Sequence, residues 1–311
     1  MISVAMTTYN GEQYVEEQLE SIRRQTRKVD EIVIVDDGST DHTLDIVCNY
    51  ASKYPECGIR LEKNVTTLGY KKNFHKAISL CKGDITFLCD QDDCWFDDKV
   101  EKVCGIMEEY PEVGVVSSAF VQMDAAGNKG EQKSAYQRKM SEDELVCVPI
   151  EDLIFHNISQ GCAMAMCSEI RDEYLQCFDE TLPHDWAINI VASMTKKCYY
   201  WNVPMFFYRI HDNNTIGLND NMVLKQKNTM AVRTRDARQA LNVLEYIEKV
   251  DRMFYEENSW LKKAREFSLK HVKNLENRNF IGLLFQNSNP YYRKLKTFRG
   301  RILDLFFVLN K

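Results

Sequence analysis

Ile85-Thr86-Phe87-Leu88-Cys89-Asp90-Gln91-Asp92-Asp93 joins a strand-like apolar run to a cluster of carboxylates. Glu31-Ile32-Val33-Ile34-Val35 leads into Asp36-Asp37 in the same way. Like charges repel and are costly to gather beside apolar strands unless something positive joins them. A divalent cation and a polyol-bearing nucleotide both answer that need. Side chains alternate along an extended strand, so Asp90 and Asp92 fall on one side. Both can then reach one hard cation, which prefers oxygen ligands.

Outward from these two stretches, strands and helices alternate. Ile2–Met6 reads as a strand, and a helix follows Asn10, an N-cap candidate, with Val15, Leu19 and Ile22 at helical spacing. Ile32–Val35 is continuously apolar, as expected of a strand covered on both faces. Leu44, Val47, Cys48 and Ala51 mark a second helix, Ile59–Leu61 a short strand, and Asn73–Cys81 a third helix. After Ile85–Cys89, an apolar stripe at Val100, Val103, Cys104 and Met107 predicts a helix that Pro111 closes, and Val113–Phe120 a further strand. Repeated β-α units predict an α/β fold: a doubly wound, mostly parallel sheet with helices on both faces. Asp124–Pro149 is polar and reads as a surface connection with one short helix. Tyr199–Ile210 is a late strand, and long helical patterns follow Gly217. Two domains are therefore expected: residues 1–217, and a C-terminal helical extension, residues 218–311.

A net charge of -6 speaks against non-specific nucleic-acid binding, which favours a basic surface. The eleven cysteines are scattered, odd in number and without a Cys-x-x-Cys pair, which predicts reduced thiols and no zinc site. Met1 leads directly into the first strand, leaving no room for a signal peptide, and no apolar run approaches the roughly 20 residues of a spanning helix. A cytoplasmic protein, with a place at the inner face of the plasma membrane left open, is the expectation.

In open α/β sheets, ligands sit beyond the carboxyl ends of the strands. Thr7-Thr8-Tyr9-Asn10-Gly11, Asp36-Asp37-Gly38-Ser39-Thr40-Asp41, Asn64 through Gly69 to Asn73, and Asp90–Asp93 fall there. Together they resemble the nucleotide-binding half of a family 2 glycosyltransferase with the GT-A fold, and with the later motifs the likeness covers about two-thirds of the chain. The resemblance implies that Thr7, Tyr9, Asn10 and Asp37 contact the nucleoside, Asp37 by accepting hydrogen bonds from the base. It implies that Asp90 approaches the ribose or the metal, that Asp92 ligates the metal, and that Lys72 or its neighbour Lys71 faces the diphosphate. Mg2+ or Mn2+ and a UDP- or dTDP-linked sugar are the implied cofactor and donor.

Two later motifs extend the likeness. In Leu182-Pro183-His184-Asp185-Trp186, the family's acidic residue is a general base that takes the acceptor hydroxyl's proton during inversion; Asp185 is the candidate, its alternative a helix cap. His184 is expected to shape the pocket. Tyr208-Arg209-Ile210-His211-Asp212-Asn213-Asn214 resembles an Arg-x-His-x-x-Asn signature of bacterial, rhamnosyltransferase-like members, with His211 completing the metal or diphosphate site and Arg209 holding phosphate oxygens. Gly161 would line the acceptor side, and Trp95 and Trp186 would stack on sugars or serve as core.

The implied activity is inverting transfer to a glycan or lipid-linked glycan acceptor in bacterial surface-polysaccharide assembly. The alternatives are a sugar nucleotidyltransferase, disfavoured because Thr7–Gly11 lacks a basic loop, and a non-catalytic scaffold that retains the nucleotide pocket. Residues 291–311, with an apolar stripe at Phe298, Ile302, Leu305, Phe306 and Leu309 flanked by basic residues, read as an amphipathic helix for a membrane surface or for docking on protein.

Overall fold

The structure, a computed structural model, describes residues 1–136, 138–211 and 229–309. The chain divides into two compact units: Met1–Pro149 with Asn157–His211, and Ile150–His156 with the residues from Asp212 on. The boundary expected at residues 217 and 218 lies outside the described residues, as do Asp212, Asn213, Asn214 and the last two residues of the tail.

The first unit is built on ten strands: β1 (Ile2–Thr8), β2 (Glu31–Asp36), β3 (Ile59–Lys63), β4 (Ile85–Cys89), β5 (Cys94–Trp95), β6 (Val115–Asp124), β7 (Lys129–Lys133), β8 (Leu145–Cys147), β9 (Met164–Cys167) and β10 (Cys198–Ile210). Their order is β3-β2-β1-β4-β9-β6-β10-β5, with β7 added to β6 and β8 to β10. The first four in this order are parallel, as are β6 and β10. Between these blocks β9 runs antiparallel to both neighbours.

Both faces are covered, as the all-buried β2 requires. On one face, Val4, Met6, Ile32 and Ile34 share a core with α1 (Val15–Arg23), α2 (Thr43–Lys53) and α4 (Lys99–Glu109) through Leu19, Ile22, Val47 and Val103. On the other, α3 (Tyr70–Leu80) packs on β1 and β2 and meets α6 (Ser168–Gln176) and α7 (His184–Met194). The intervening α5 (Ile150–Leu153) belongs to the second unit.

The expectation of a connection with a short helix at 124–149 is corrected. Asp124 Oδ1 accepts from the N–H groups of Ala126 and Asn128, both 2.9 Å, turning the chain so that β7 pairs with β6. All five residues of β7 are exposed. A strand wet on both faces carries no apolar alternation, so its sequence is silent. The Asn10 N-cap is also corrected. Asn10 sits at φ 49°, its Oδ1 accepts from Thr40 N (2.9 Å), and α1 starts only at Val15.

The second unit is helical: α8 (Met230–Val250), α9 (Arg252–Glu257), α10 (Ser259–Glu276), α11 (Phe280–Gln286), α12 (Pro290–Leu295) and α13 (Phe298–Leu309). Thr229, Asp251, Asn258, Asn279 and Asn289 each accept from a first-turn N–H, so a capping side chain starts five of these helices. None of the described helices is long and apolar enough to cross a membrane. The tail is not one basic amphipathic helix, because it breaks at Lys296 between α12 and α13. Its basic residues are partly turned inward: Lys294 pairs with Asp152 (2.8 Å), and Lys296 with the fully buried Asp304 (2.8 Å).

Asp304 also accepts from Tyr292 Oη (2.7 Å) and from Arg233. Burial works against its charge, but Lys296, Tyr292 and Arg233 outweigh that and hold its carboxyl below the usual range. Removing one member of such a network leaves the others buried and uncompensated. Asp304→Asn should therefore destabilise the chain by about 3–5 kcal/mol, read as a lowered urea midpoint; an unchanged midpoint contradicts this account.

Candidate functional site

Because β9 opposes both of its neighbours, the carboxyl ends of β1, β2, β4, β6 and β10 share one rim with the amino end of β9. The turn leading into β9, Gly161–Ala163, lies beside β4 and β6 and brings Cys162 to Asp90 and Asp93.

The loops after β1 and β2 are locked together. Asp36, fully buried, accepts from Thr8 Oγ1 (2.8 Å) and from the N–H groups of Gly38 (3.0 Å) and Ser39 (2.8 Å). Asn10 N donates to Ser39 Oγ (2.8 Å). Tyr9 lies between the loops with its ring 51% exposed, free to stack on a planar ligand. Gln91 fixes its backbone from both sides: Tyr9 N donates to Gln91 Oε1 (2.8 Å), and Gln91 Nε2 donates to Tyr9 O (3.0 Å). A Cβ on Gly11 would stand 2.2 Å from Gln91 Oε1, so this approach depends on glycine. Thr7, half-buried, pairs with Val35 across β1 and β2.

Asp37, expected to receive the base, holds its own loop. Its carboxylate accepts from Leu68 N (2.7 Å), Asn64 Nδ2 (2.9 Å) and Gly69 N (2.9 Å). A carboxylate offers about four acceptor positions, so roughly one remains. Lys72 pairs with Glu180 (2.9 Å), both ends well exposed, and Lys71 donates to Glu180 O (2.6 Å).

At the end of β4 the acidic residues divide. Asp90, Asp93 and Cys162 place ligand atoms within 4.8 Å of one another. Asp92 turns to His211, whose Nε2 lies 2.9 Å from Asp92 Oδ2. Burial, with the charge of Asp92, pushes the Asp90 carboxyl up to about 7. Burial and both neighbouring aspartates push Asp93 well above the usual range, and its buried Oδ2 has no hydrogen-bond partner. Such crowding without a full counter-charge suits a cation with oxygen ligands. The Cys162 thiol, pushed up by burial, is a poor ligand for a hard ion.

Asp185, in the first turn of α7, is half-buried. Its Oδ2 accepts from Asn157 Nδ2 (2.9 Å) and its Oδ1 from Trp186 N (2.8 Å). Burial pushes its carboxyl up to about 6, against these hydrogen bonds. Its charge acts on Asp90 and on Tyr70, and Tyr70 follows Gly69, the residue bonded to Asp37. Asp37, Asp90, Asp92 and Asp185 therefore lie at one rim of the sheet, with Asp185 close enough to Asp90 for their charges to interact.

Residues 3–168 match the family model described as glycosyl transferase family 2, more than half of the chain. The chain belongs to glycosyltransferase family 2. It is 29% identical over 244 residues to the dTDP-rhamnosyl transferase RfbG of Shigella flexneri, covering 74% of this chain and 80% of that protein. It is 33% identical over 132 residues to the amylovoran biosynthesis glycosyltransferase AmsE of Erwinia amylovora, covering 42% and 48%. Among solved structures, S. aureus TarS 1-349 in complex with UDP-GlcNAc superposes with a TM-score of 0.57 at 15% identity, over 100% of this chain and 92% of that one. The mannosyltransferase PcManGT from Pyrobaculum calidifontis, in complex with GDP-Man and Mn2+, gives 0.54 at 17% identity, over 99% and 87%. These two likenesses concern the fold, which is the GT-A α/β architecture with a mixed, mostly parallel sheet.

Arg209 stands differently from the expectation, and the tryptophans take the second of their two readings. Arg209 is buried, its Nε donating to Asp92 O (2.8 Å) and its NH2 to Glu17 (2.6 Å), with the guanidinium 4.5 Å from the Tyr14 ring centre. Its fork braces the loop after β4, which corrects the expectation that it holds phosphate oxygens. Trp95 and Trp186 are buried, 1% and 7% exposed, so both are core. Sequence reasoning missed Lys99. This buried residue donates to Cys162 O (2.9 Å), lies 4.1 Å from the Trp95 ring centre, and is the cation beneath the acidic cluster. Burial lowers its ammonium to about 8 while the aspartates counter that effect. As the first residue of α4 it carries no pattern that distinguishes it from a solvated helix lysine. Asn157 and Gln91 were missed too, since an isolated amide carries no pattern.

His184 is buried and stacked on Phe74, ring centres 4.0 Å apart, and burial pushes its imidazole down to about 3. A Cβ on Gly161 would stand 2.5 Å from His184 Nε2. Gly161→Ala should cost about 1–3 kcal/mol through overpacking, seen as a lower melting temperature. Adding His184→Ala should recover part of it, and a double variant no more stable than Gly161→Ala alone would rule out this steric account.

Proposed function

We propose that this chain is an inverting transferase that moves a sugar from a UDP- or dTDP-linked donor to a glycan or lipid-linked glycan acceptor in bacterial surface-polysaccharide assembly. The observation that carries the reading is Asp185: a half-buried carboxylate, oriented by Asn157 and near enough to the acidic cluster after β4 for its charge to act on Asp90. The relatives named for dTDP-rhamnosyl transfer and amylovoran biosynthesis support the donor type and the setting.

In this reading Tyr9 stacks on the base, Thr7 and Asn10 border it, and Asp37 offers its remaining acceptor position. Lys72 exchanges Glu180 for the diphosphate, which is feasible because an exposed pair is worth at most about 1 kcal/mol. Asp90 and Asp92, with His211 beside them, would hold Mg2+ or Mn2+. The ion would supply stabilisation of charge on the departing diphosphate and orientation of the donor. Asp185 Oδ takes the proton of the acceptor hydroxyl as that oxygen bonds to the anomeric carbon and the nucleoside diphosphate leaves on the opposite side. Asn157 keeps the carboxylate aimed, and partial burial raises its basicity. His184, neutral and packed on Phe74 and Gly161, forms a wall and takes no part in proton transfer.

Two outcomes follow. Metal-dependent release of nucleoside diphosphate, measured over a panel of UDP- and dTDP-sugars, should fall on the order of 10²–10³-fold in Asp90→Asn and in Asp92→Asn; near-normal transfer by Asp92→Asn contradicts the metal assignment. Only ionised Asp185 accepts a proton, so kcat/KM should decline as pH drops below about 6 and level off above it. Asp185→Asn should abolish both the bulk of transfer and that acidic limb; a limb that persists in the variant assigns it to another group.

A further inference from the structure

The second unit leaves a large apolar surface uncovered. On α11, Ile281, Leu284 and Phe285 are 64%, 51% and 78% exposed, and their i, i+3, i+4 spacing puts them on one face. On α13, Phe298, Ile302, Phe306 and Leu309 are 70%, 45%, 55% and 63% exposed, again along one side. The two helices pack against each other. The adjoining side of α13 is already satisfied: Leu305 and Val308 are buried against Ala237, Val272, Leu275 and Leu283. A helix whose apolar surface runs on past its buried side, beside a second helix open in the same way, marks an interaction surface rather than scattered exposure.

Charge narrows what covers it. From Arg278 to the end, seven basic side chains stand against one acidic residue, in a chain whose net charge is -6. That one acid, Asp304, is buried and bonded internally. Arg293 and Arg299 are exposed and enter no ion pair with the described residues. Arg299 directly follows Phe298, the first residue of the exposed α13 stripe. Whatever covers the face must meet an apolar stripe and unpaired cations together, in a segment whose charge is opposite to that of the chain as a whole. A bilayer with anionic headgroups offers both in one surface, acyl chains for the aromatics and phosphates for the arginines.

We propose that the face formed by α11 and α13 is a peripheral membrane-binding surface, its aromatic and aliphatic side chains entering the headgroup region, Arg299 lying on anionic headgroups, and the exposed Arg293, six positions earlier in the chain, adding positive charge. The inference goes beyond the transfer reaction and does not depend on it. It also moves the contact from a single terminal helix to a two-helix face.

The test is sedimentation of the full chain with phosphatidylcholine vesicles, with and without about one third phosphatidylglycerol, at low and high salt, alongside analytical ultracentrifugation without lipid. The full chain should sediment with the anionic vesicles, weakly with the neutral ones, and less as salt rises. Phe285→Ser/Phe306→Ser should bind at least about tenfold more weakly, and Arg293→Glu/Arg299→Glu should lose the preference for anionic lipid. All four positions are exposed, so unchanged circular dichroism and melting should accompany these losses. Binding to neither vesicle, or wild-type binding by the Phe285→Ser/Phe306→Ser variant, overturns the proposal. So does a lipid-free oligomer that this variant dissociates, which would assign the face to a second copy of the chain.

Discussion

Carboxylates crowded at the end of β4, with too little positive charge to balance them, are the constraint around which the first unit is arranged. Asp90, Asp92 and Asp93 each find a different answer. Asp92 takes His211, Asp93 takes the backbone N–H of Arg209 at 3.1 Å, and Asp90 is left beside Asp93 and Cys162. Lys99 supplies one buried positive charge from below, and its lowered ammonium shows that it is itself poorly solvated. The cluster is left acceptor-rich and partly protonated, a state that a hard cation with an anionic ligand relieves.

The rest of the rim serves to hold that cluster in place. Arg209 reaches from β10 to Asp92 O and Glu17, and Tyr14 is flanked by Arg209 and by the His211 ring, 5.0 Å away. Gln91 ties the same loop to Tyr9, so the loops after β1 and β4 are held to each other by two hydrogen bonds. Groups fixed in this way cost little reorganisation when charge develops on a ligand. Asp37 contributes in a comparable manner, by ordering the Asn64–Gly69 turn that precedes α3 and Tyr70.

The second unit uses buried charge differently. Asp304 is matched by Arg233, Lys296 and Tyr292, so its carboxyl is held below the usual range while that of Asp90 is pushed up to about 7. Full pairing makes Asp304 a fixture of the helical packing; partial pairing leaves Asp90 ready for a ligand. The contrast separates a structural carboxylate from a candidate functional one better than burial does, since the structural one is the more buried of the two.

Much of this was legible in the residues. Apolar runs ended by Asp36-Asp37 and Asp90–Asp93 fixed the strands, their parallel direction and the side of the sheet where polar groups gather, because local periodicity and strand-end polarity are properties of the chain itself. Family resemblance added Asp185. Partners were not legible: that Arg209 faces Glu17 and Asp92 rather than solvent, that Lys99 is buried, and that Asn157 orients Asp185 are contacts between residues 28 to 192 positions apart. The polar strand β7 and the broken tail at Lys296 escaped for a related reason. An edge strand wet on both faces has no pattern, and a lysine drawn inward by a distant aspartate looks like any surface lysine. Sequence alone thus determined which chemical groups are present and on which rim; only the tertiary structure decided which of them are paired and which remain open, because pairing is set by the antiparallel insertion of β9 and the packing it imposes.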